Sequence, residues 1–137
     1  MIAVDTSAIV AIALAEPEAE SFKTVVRDNA LLIGWPTLFE TRIVLAAKGF
    51  SNAGAIVAQL AATPNVTALP FDAKHFSAAE AAYERFGRGR HPAGLNMGDC
   101  FAYAVAAVAK APLLFKGLDF GQTDILRHPA SSRCDQA

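Results

Sequence analysis

MIAVDTSAIVAIAL, residues 1–14, is the stretch that decides the architecture. Its first four residues are a short apolar run of strand formers. Asp5, Thr6 and Ser7 then supply the side chains that open helices, and AIVAIAL continues the apolar pattern beyond them. The reading is strand, turn, helix, and the rest of the chain repeats it. PEAESFKTVVRDN (17–29) is a helix with Pro17 at its first position, and ALLIGW (30–35) is a buried strand. PTLFETRIVLAAKG (36–49) and SNAGAIVAQLAAT (51–63) are helices, the first closed by Gly49. NVTALPF (65–71) is a strand, and DAKHFSAAEAAYERF (72–86) is an amphipathic helix capped by Asp72. The basic loop GRGRHPAG (87–94) leads to an apolar helix after Asp99, the strand LLF (113–115), a weak strand near TDIL (123–126) and the polar tail HPASSRCDQA (128–137). Short apolar strands alternating with helices predict an α/β sandwich around a central, mainly parallel sheet of about four to five strands.

The bulk composition agrees. A chain of 137 residues that is 53% hydrophobic can build one core, so a single domain over 1–137 is expected, with a polar tail at roughly 128–137. No apolar run reaches the ~18 residues of a membrane span, and no basic region precedes the first apolar stretch, so a soluble cytoplasmic protein is expected. Cys100 and Cys134 fit neither a disulfide framework nor a CxxC metal site. A formal charge of -1 provides no global field to attract nucleic acid, so any such binding must be local.

Residues just past the carboxyl ends of parallel strands are the natural place to look for chemistry. Asp5 directly follows the first strand, where it also suits the cap of the next helix. Glu40 lies three, four and seven residues before Ile43, Val44 and Ala47, so helical spacing puts a carboxylate beside apolar side chains, with Arg42 turned the other way. Asp99 can complete a capping box with Asn96. Capping does not explain why the following helix is apolar nearly all round, with Lys110 the only charge in FAYAVAAVAKAPLLF (101–115). Such a helix is buried, and its start abuts the sheet edge. Asp119 follows the strand LLF through the turn KGLDF, and Asp124 is a fifth, lower-ranked acid.

Carboxylates gathered at one edge repel unless a cation sits among them. Oxygen-only donors select Mg²⁺ or Mn²⁺ over zinc, and His75, His91 and His128 are scattered elsewhere. Such an ion suits phosphodiester chemistry. Arg85, Arg88, Arg90 and His91 form the one local basic cluster and could follow an RNA backbone or simply be a solvated loop; Lys116, near the acids, is a second phosphate-contact candidate.

VDTSAI (4–9), FET (39–41), LNMGDCFAYAVA (95–106) and PLLFKGLDFGQTDI (112–125) together resemble the PIN-domain ribonucleases, and specifically the VapC toxins of bacterial toxin-antitoxin modules. The resemblance implies a PIN-like α/β/α sandwich and a Mg²⁺- or Mn²⁺-dependent endoribonuclease. By position it carries the metal and catalytic roles to Asp5, Glu40, Asp99 and Asp119, with a hydroxyl of Thr6 or Ser7 in support. It implies hydrolysis leaving a 5′-phosphate and a 3′-hydroxyl, a homodimer, and a VapB-type antitoxin whose C-terminal segment crosses the groove. Apolar surface on Ile9 to Leu14 and Phe22 to Val26 could serve either protein contact. Leu118 departs from the related toxins, which usually carry Asn or Asp there, and Asp124 is the substitute donor in that case. Three other readings compete. A phosphatase forming an aspartyl-phosphate would need a DxD pair that DTS lacks. A PIN-like module without activity would bind RNA or a protein independently of metal. A receiver domain would need its acidic pair and lysine in another arrangement.

Overall fold

The computed structural model describes residues 1–131. Four strands, β1 (Ile2–Val4), β2 (Leu31–Gly34), β3 (Val66–Leu69) and β4 (Leu113–Leu114), form one sheet in the order β3-β2-β1-β4, every pair parallel. Six helices join them: α1 (Thr6–Ala13), α2 (Ala19–Asp28), α3 (Trp35–Ala47), α4 (Ala53–Ala62), α5 (Ala73–Phe86) and α6 (Met97–Ala109). Alternation along the strands sorts the core into two layers. Ile2, Val4, Leu31 and Ile33 face α1 to α4 with Phe22, Leu38 and Leu45, while Ala3 and Leu32 face α5 and α6 with Phe86, Leu95, Val105 and Phe120. This is the expected α/β/α sandwich. Among the described residues no helix is long and apolar enough to cross a membrane.

The strand order carries functional weight. The crossovers through α1–α2 and α3–α4 move the chain outward from β1 to β3 on one face, and α5–α6 returns it across the other face to the far side of β1. The order therefore reverses between β1 and β4, and the crevice beyond their carboxyl ends is where such sheets bind ligands. α6 is the helix that makes this return, and seven of its residues from Gly98 to Ala106 are buried, as its apolar sequence requires. It passes close over β2, where a Cβ on Gly34 would sit 3.1 Å from Val105 Cγ2.

Two local expectations give way. α2 begins at Ala19 rather than at Pro17, because Ala15 takes a positive φ of 54° and the Ala19 amide closes a turn onto the Glu16 carbonyl, which uses Pro17 and Glu18 in the bend. The strand near TDIL is reduced to one parallel bridge between Leu113 and Arg127. A 3-10 turn at Phe120–Gln122 and the Thr123 hydroxyl, which accepts from the Ile125 amide, consume the backbone that would have paired. Cys100 is a buried free thiol, whereas Cys134 lies outside the described residues.

Candidate active site

Asp5 sits where β1 becomes α1. Its amide donates to the Leu114 carbonyl of β4, and its carboxylate caps α1 by accepting from the Ser7 amide at 2.9 Å. Ser7 in turn accepts from the Lys116 amide, which ties the loop after β4 to the same turn. Asp5 is only 4% exposed. Burial pushes its carboxyl up to about 7, the Ser7 hydrogen bonds pull the other way, and the charges of Asp99 and Glu40 add to the rise.

Glu40 reaches the same place from α3. Helical spacing placed it on an apolar face with Ile43 and Ala47, but both are exposed; the buried stripe of α3 is Thr37, Leu38, Thr41 and Leu45. Glu40 stands at the stripe's border because polar threonines share the core side with it. The Thr6 hydroxyl donates to Glu40 Oε1 at 2.6 Å, contacts the Thr41 hydroxyl at 3.1 Å, and Thr41 donates to the Thr37 carbonyl at 2.8 Å. Thr41 escaped the sequence reading. Its signal was the i, i+4 pair of threonines on a face otherwise filled by leucines.

Asp99 enters at the start of α6 and makes the capping box as expected: its amide donates to Asn96 Oδ1 at 2.8 Å, and its Oδ2 accepts from the Asn96 amide at 3.0 Å. Burial raises its carboxyl to about 6, the Asn96 hydrogen bond opposes, and Asp119 and Glu40 push further upward while Arg88 lowers it. Asp119 is exposed at the start of the 3-10 turn; burial raises its pKa as well, and Arg88 again opposes. Asp5 thus feels the charges of Asp99 and Glu40, and Asp99 those of Asp119 and Glu40.

Among the described residues, no three His, Cys, Asp or Glu side chains stand close enough to share one metal ion in this arrangement. Asp5, Glu40 and Asp99 each accept a hydrogen bond from a local donor, Ser7, Thr6 or Asn96. The donor chemistry nevertheless fits a hard divalent cation, being oxygen throughout. Burial disfavours the charged Asp5 carboxylate, a cost that a bound cation would offset.

The remaining candidates separate cleanly. Asp124 is held away from this group, accepting from the Tyr103 hydroxyl and paired with Arg85 at 3.0 Å. Arg90 pairs with Glu84 at 3.5 Å, and Lys116 lies between Glu16 and Glu18 at 3.1 and 3.2 Å. Arg88 is the member of the basic loop whose charge reaches Asp99 and Asp119. His75 completes the α5 capping box, and His91 and His128 accept amides two residues on. Leu118 is 42% exposed beside Asp119.

The PIN domain family model matches residues 2–126. Ribonuclease VapC30 of Mycobacterium tuberculosis is 42% identical over 123 residues, 89% of this chain and 94% of that protein. Among solved structures, VapC20 of M. tuberculosis, described as a Sarcin-Ricin loop cleaving toxin, superposes with a TM-score of 0.77 at 17% identity, covering 93% of this chain and 98% of its own. VapBC2 from Rickettsia felis, bound to a DNA fragment from their promoter, matches with a TM-score of 0.66 at 17% identity, covering 93% of this chain and 96% of its own.

Proposed function

The chain belongs to the PIN-domain family, among its VapC ribonucleases, and from that premise we propose that it is the endoribonuclease toxin of a cytoplasmic toxin-antitoxin module, using Mg²⁺ or Mn²⁺. What supports the site assignment is that buried Asp5, at the β1–β4 reversal, feels the charges of Asp99 and Glu40, and that burial raises its carboxyl to about 7. Asp5, Asp99, Glu40 and Asp119 would hold the ion. When bound, it supplies an activated water for in-line attack and neutralises charge at the phosphodiester. Thr6 fixes one oxygen of Glu40 and the Asn96 amide fixes one oxygen of Asp99, so each carboxylate is oriented before any ligand arrives. Arg88 supplies a cation beside Asp99 and Asp119 for a substrate phosphate. Of the other basic candidates, Arg85, Arg90 and Lys116 already balance acids of this chain, so Arg88 carries most of that role. Hydrolysis leaves a 5′-phosphate and a 3′-hydroxyl.

Two protein contacts complete the proposal. An apolar groove of about 370 Å³, lined by residues such as Ile9, Ile12 and Ala13 of α1, Val26 of α2 and Ile56 and Leu60 of α4, suits the apolar face of an antitoxin helix. Trp35, Phe39 and Ile43, exposed along α3, favour a homodimer contact.

The test compares cleavage of total cellular RNA by the wild type and Asp99→Asn, with Mg²⁺ or Mn²⁺ and with chelator. Discrete 5′-phosphate fragments from the wild type with metal alone are expected. If both forms are equally inert while RNA affinity ignores metal, the chain is a binding module and the nuclease reading fails.

A further inference from the structure

Gly98 has no conformational reason to be glycine. It is the second residue of α6, and it is not among the positive-φ positions, which are Gly49, Gly89, Gly94 and Gly117 among the glycines. Inside a helix, glycine is a poor choice on backbone entropy alone. The reason lies across the site: a Cβ on Gly98 would overlap the Glu40 carboxylate, meeting Oε2, Cδ and Oε1 as its three nearest atoms.

We propose that Gly98 is a positioning residue of the acidic site, whose missing side chain keeps open the space that the Glu40 carboxylate occupies. The inference rests on the reading of Glu40 as a member of the metal site. Glu40 is held between two features, the Thr6 hydroxyl that donates to Oε1 and the gap over Gly98 that admits the carboxylate. The obstacle a methyl group would meet is the far end of a flexible side chain, not backbone. The helix therefore tolerates alanine, and Glu40 is what moves. Glu40 is half-buried and borders an open pocket lined by Pro36, Phe39, Ile43, Met97 and Phe101, so the displaced carboxylate can swing outward to solvent. In that position it can no longer accept from Thr6, and the cluster loses a donor while the fold stays whole.

The experiment is a double-mutant cycle on the full chain with Gly98→Ala, Glu40→Ala and the pair. Mn²⁺ affinity is followed by calorimetry, thermal melting by circular dichroism, and the Glu40 carboxyl by ¹³C NMR. Gly98→Ala should keep the wild-type melting temperature or exceed it, shift the Glu40 carboxyl resonance, and weaken Mn²⁺ binding by about 10–100-fold, the range for residues that orient ligands. In the Glu40→Ala background the same substitution should change nothing further, because the two act as one unit. An equal loss in both backgrounds, or a Glu40 resonance unmoved by Gly98→Ala, overturns the inference. If Gly98→Ala is destabilised, the deficit must vanish once Glu40 is alanine, and its persistence counts against the proposal. Should the wild type neither bind Mn²⁺ nor cut RNA, the metal reading fails, while the carboxyl resonance and the melting cycle still decide the role of Gly98.

Discussion

Burial makes the Asp5 carboxylate costly to ionise in the metal-free protein. A carboxyl that holds its proton to about 7 in the native state, against about 3.9 in the unfolded chain, makes the native state bind more protons across that interval. Stability of the metal-free protein therefore falls as pH rises from about 4 to 7, and Asp99, raised to about 6, adds to the same trend over a narrower window. The unfavourable term is absent below the unfolded pKa and complete above the native one. Asp5→Asn removes the charge and keeps an oxygen to cap α1 through Ser7. We expect it to stabilise the metal-free protein by on the order of 2–4 kcal/mol near pH 8 and to leave stability near pH 4 unchanged. Denaturant unfolding with chelator at the two pH values checks this. Adding Mn²⁺ should raise the stability of the wild type and not of the variant, since only a ligand that binds the native state shifts the balance.

At the scale of the element, the start of α6 joins capping to chemistry. Asn96 and Asp99 satisfy each other's amides, so the interaction that begins the helix also aims the Asp99 carboxylate. Asn96→Ala should cost about 1 kcal/mol, as the loss of a cap generally does, and should lower cleavage by more than that stability loss accounts for. Thermal melting beside cleavage rates, both taken where the variant is fully folded, separates the two effects. The cap in LNMGDC was legible because an Asn and an Asp three residues apart satisfy each other's amides, and the same spacing fixes the Asp99 carboxylate that the proposed site uses. The strand-helix alternation was legible for a similar reason, each buried strand being a continuous apolar run. The setting of Glu40 was not. A hydrophobic pattern counts Thr37 and Thr41 as polar and so picks the wrong face of α3, whereas a Thr41 hydroxyl that donates to the Thr37 carbonyl is at home in a core. The bridge left in place of the TDIL strand escaped too, because nearby side chains compete for its backbone. Spacing also could not show that Gly98 answers to Glu40, fifty-eight positions away on another helix.

The whole molecule bears on how an RNA would reach the proposed site. A formal charge of -1 lends no net long-range attraction to RNA, so in the proposed function binding rests on the ion and a few placed cations. The last turn of α5 and the loop after it carry three arginines in six residues, from Arg85 to Arg90, but their charges are not equivalent. Arg85 is spent on Asp124 and Arg90 on Glu84, while Arg88 acts on Asp99 and Asp119. Each phosphate neutralised by a side chain contributes about 0.7 to the salt dependence of single-stranded binding. Arg88→Ala in an Asp99→Asn background that cannot cleave should therefore weaken binding of a short single-stranded RNA in Mn²⁺ and flatten the slope of log affinity against log salt by about 0.7. Arg85→Ala should leave that slope in place and cost at most about 1 kcal/mol of stability, the range for an exposed ion pair. Fluorescence anisotropy across a salt series distinguishes the two. Equal slopes for Arg88→Ala and its parent would mean that this arginine only tempers the acids, and that the ion carries the attraction for phosphate alone.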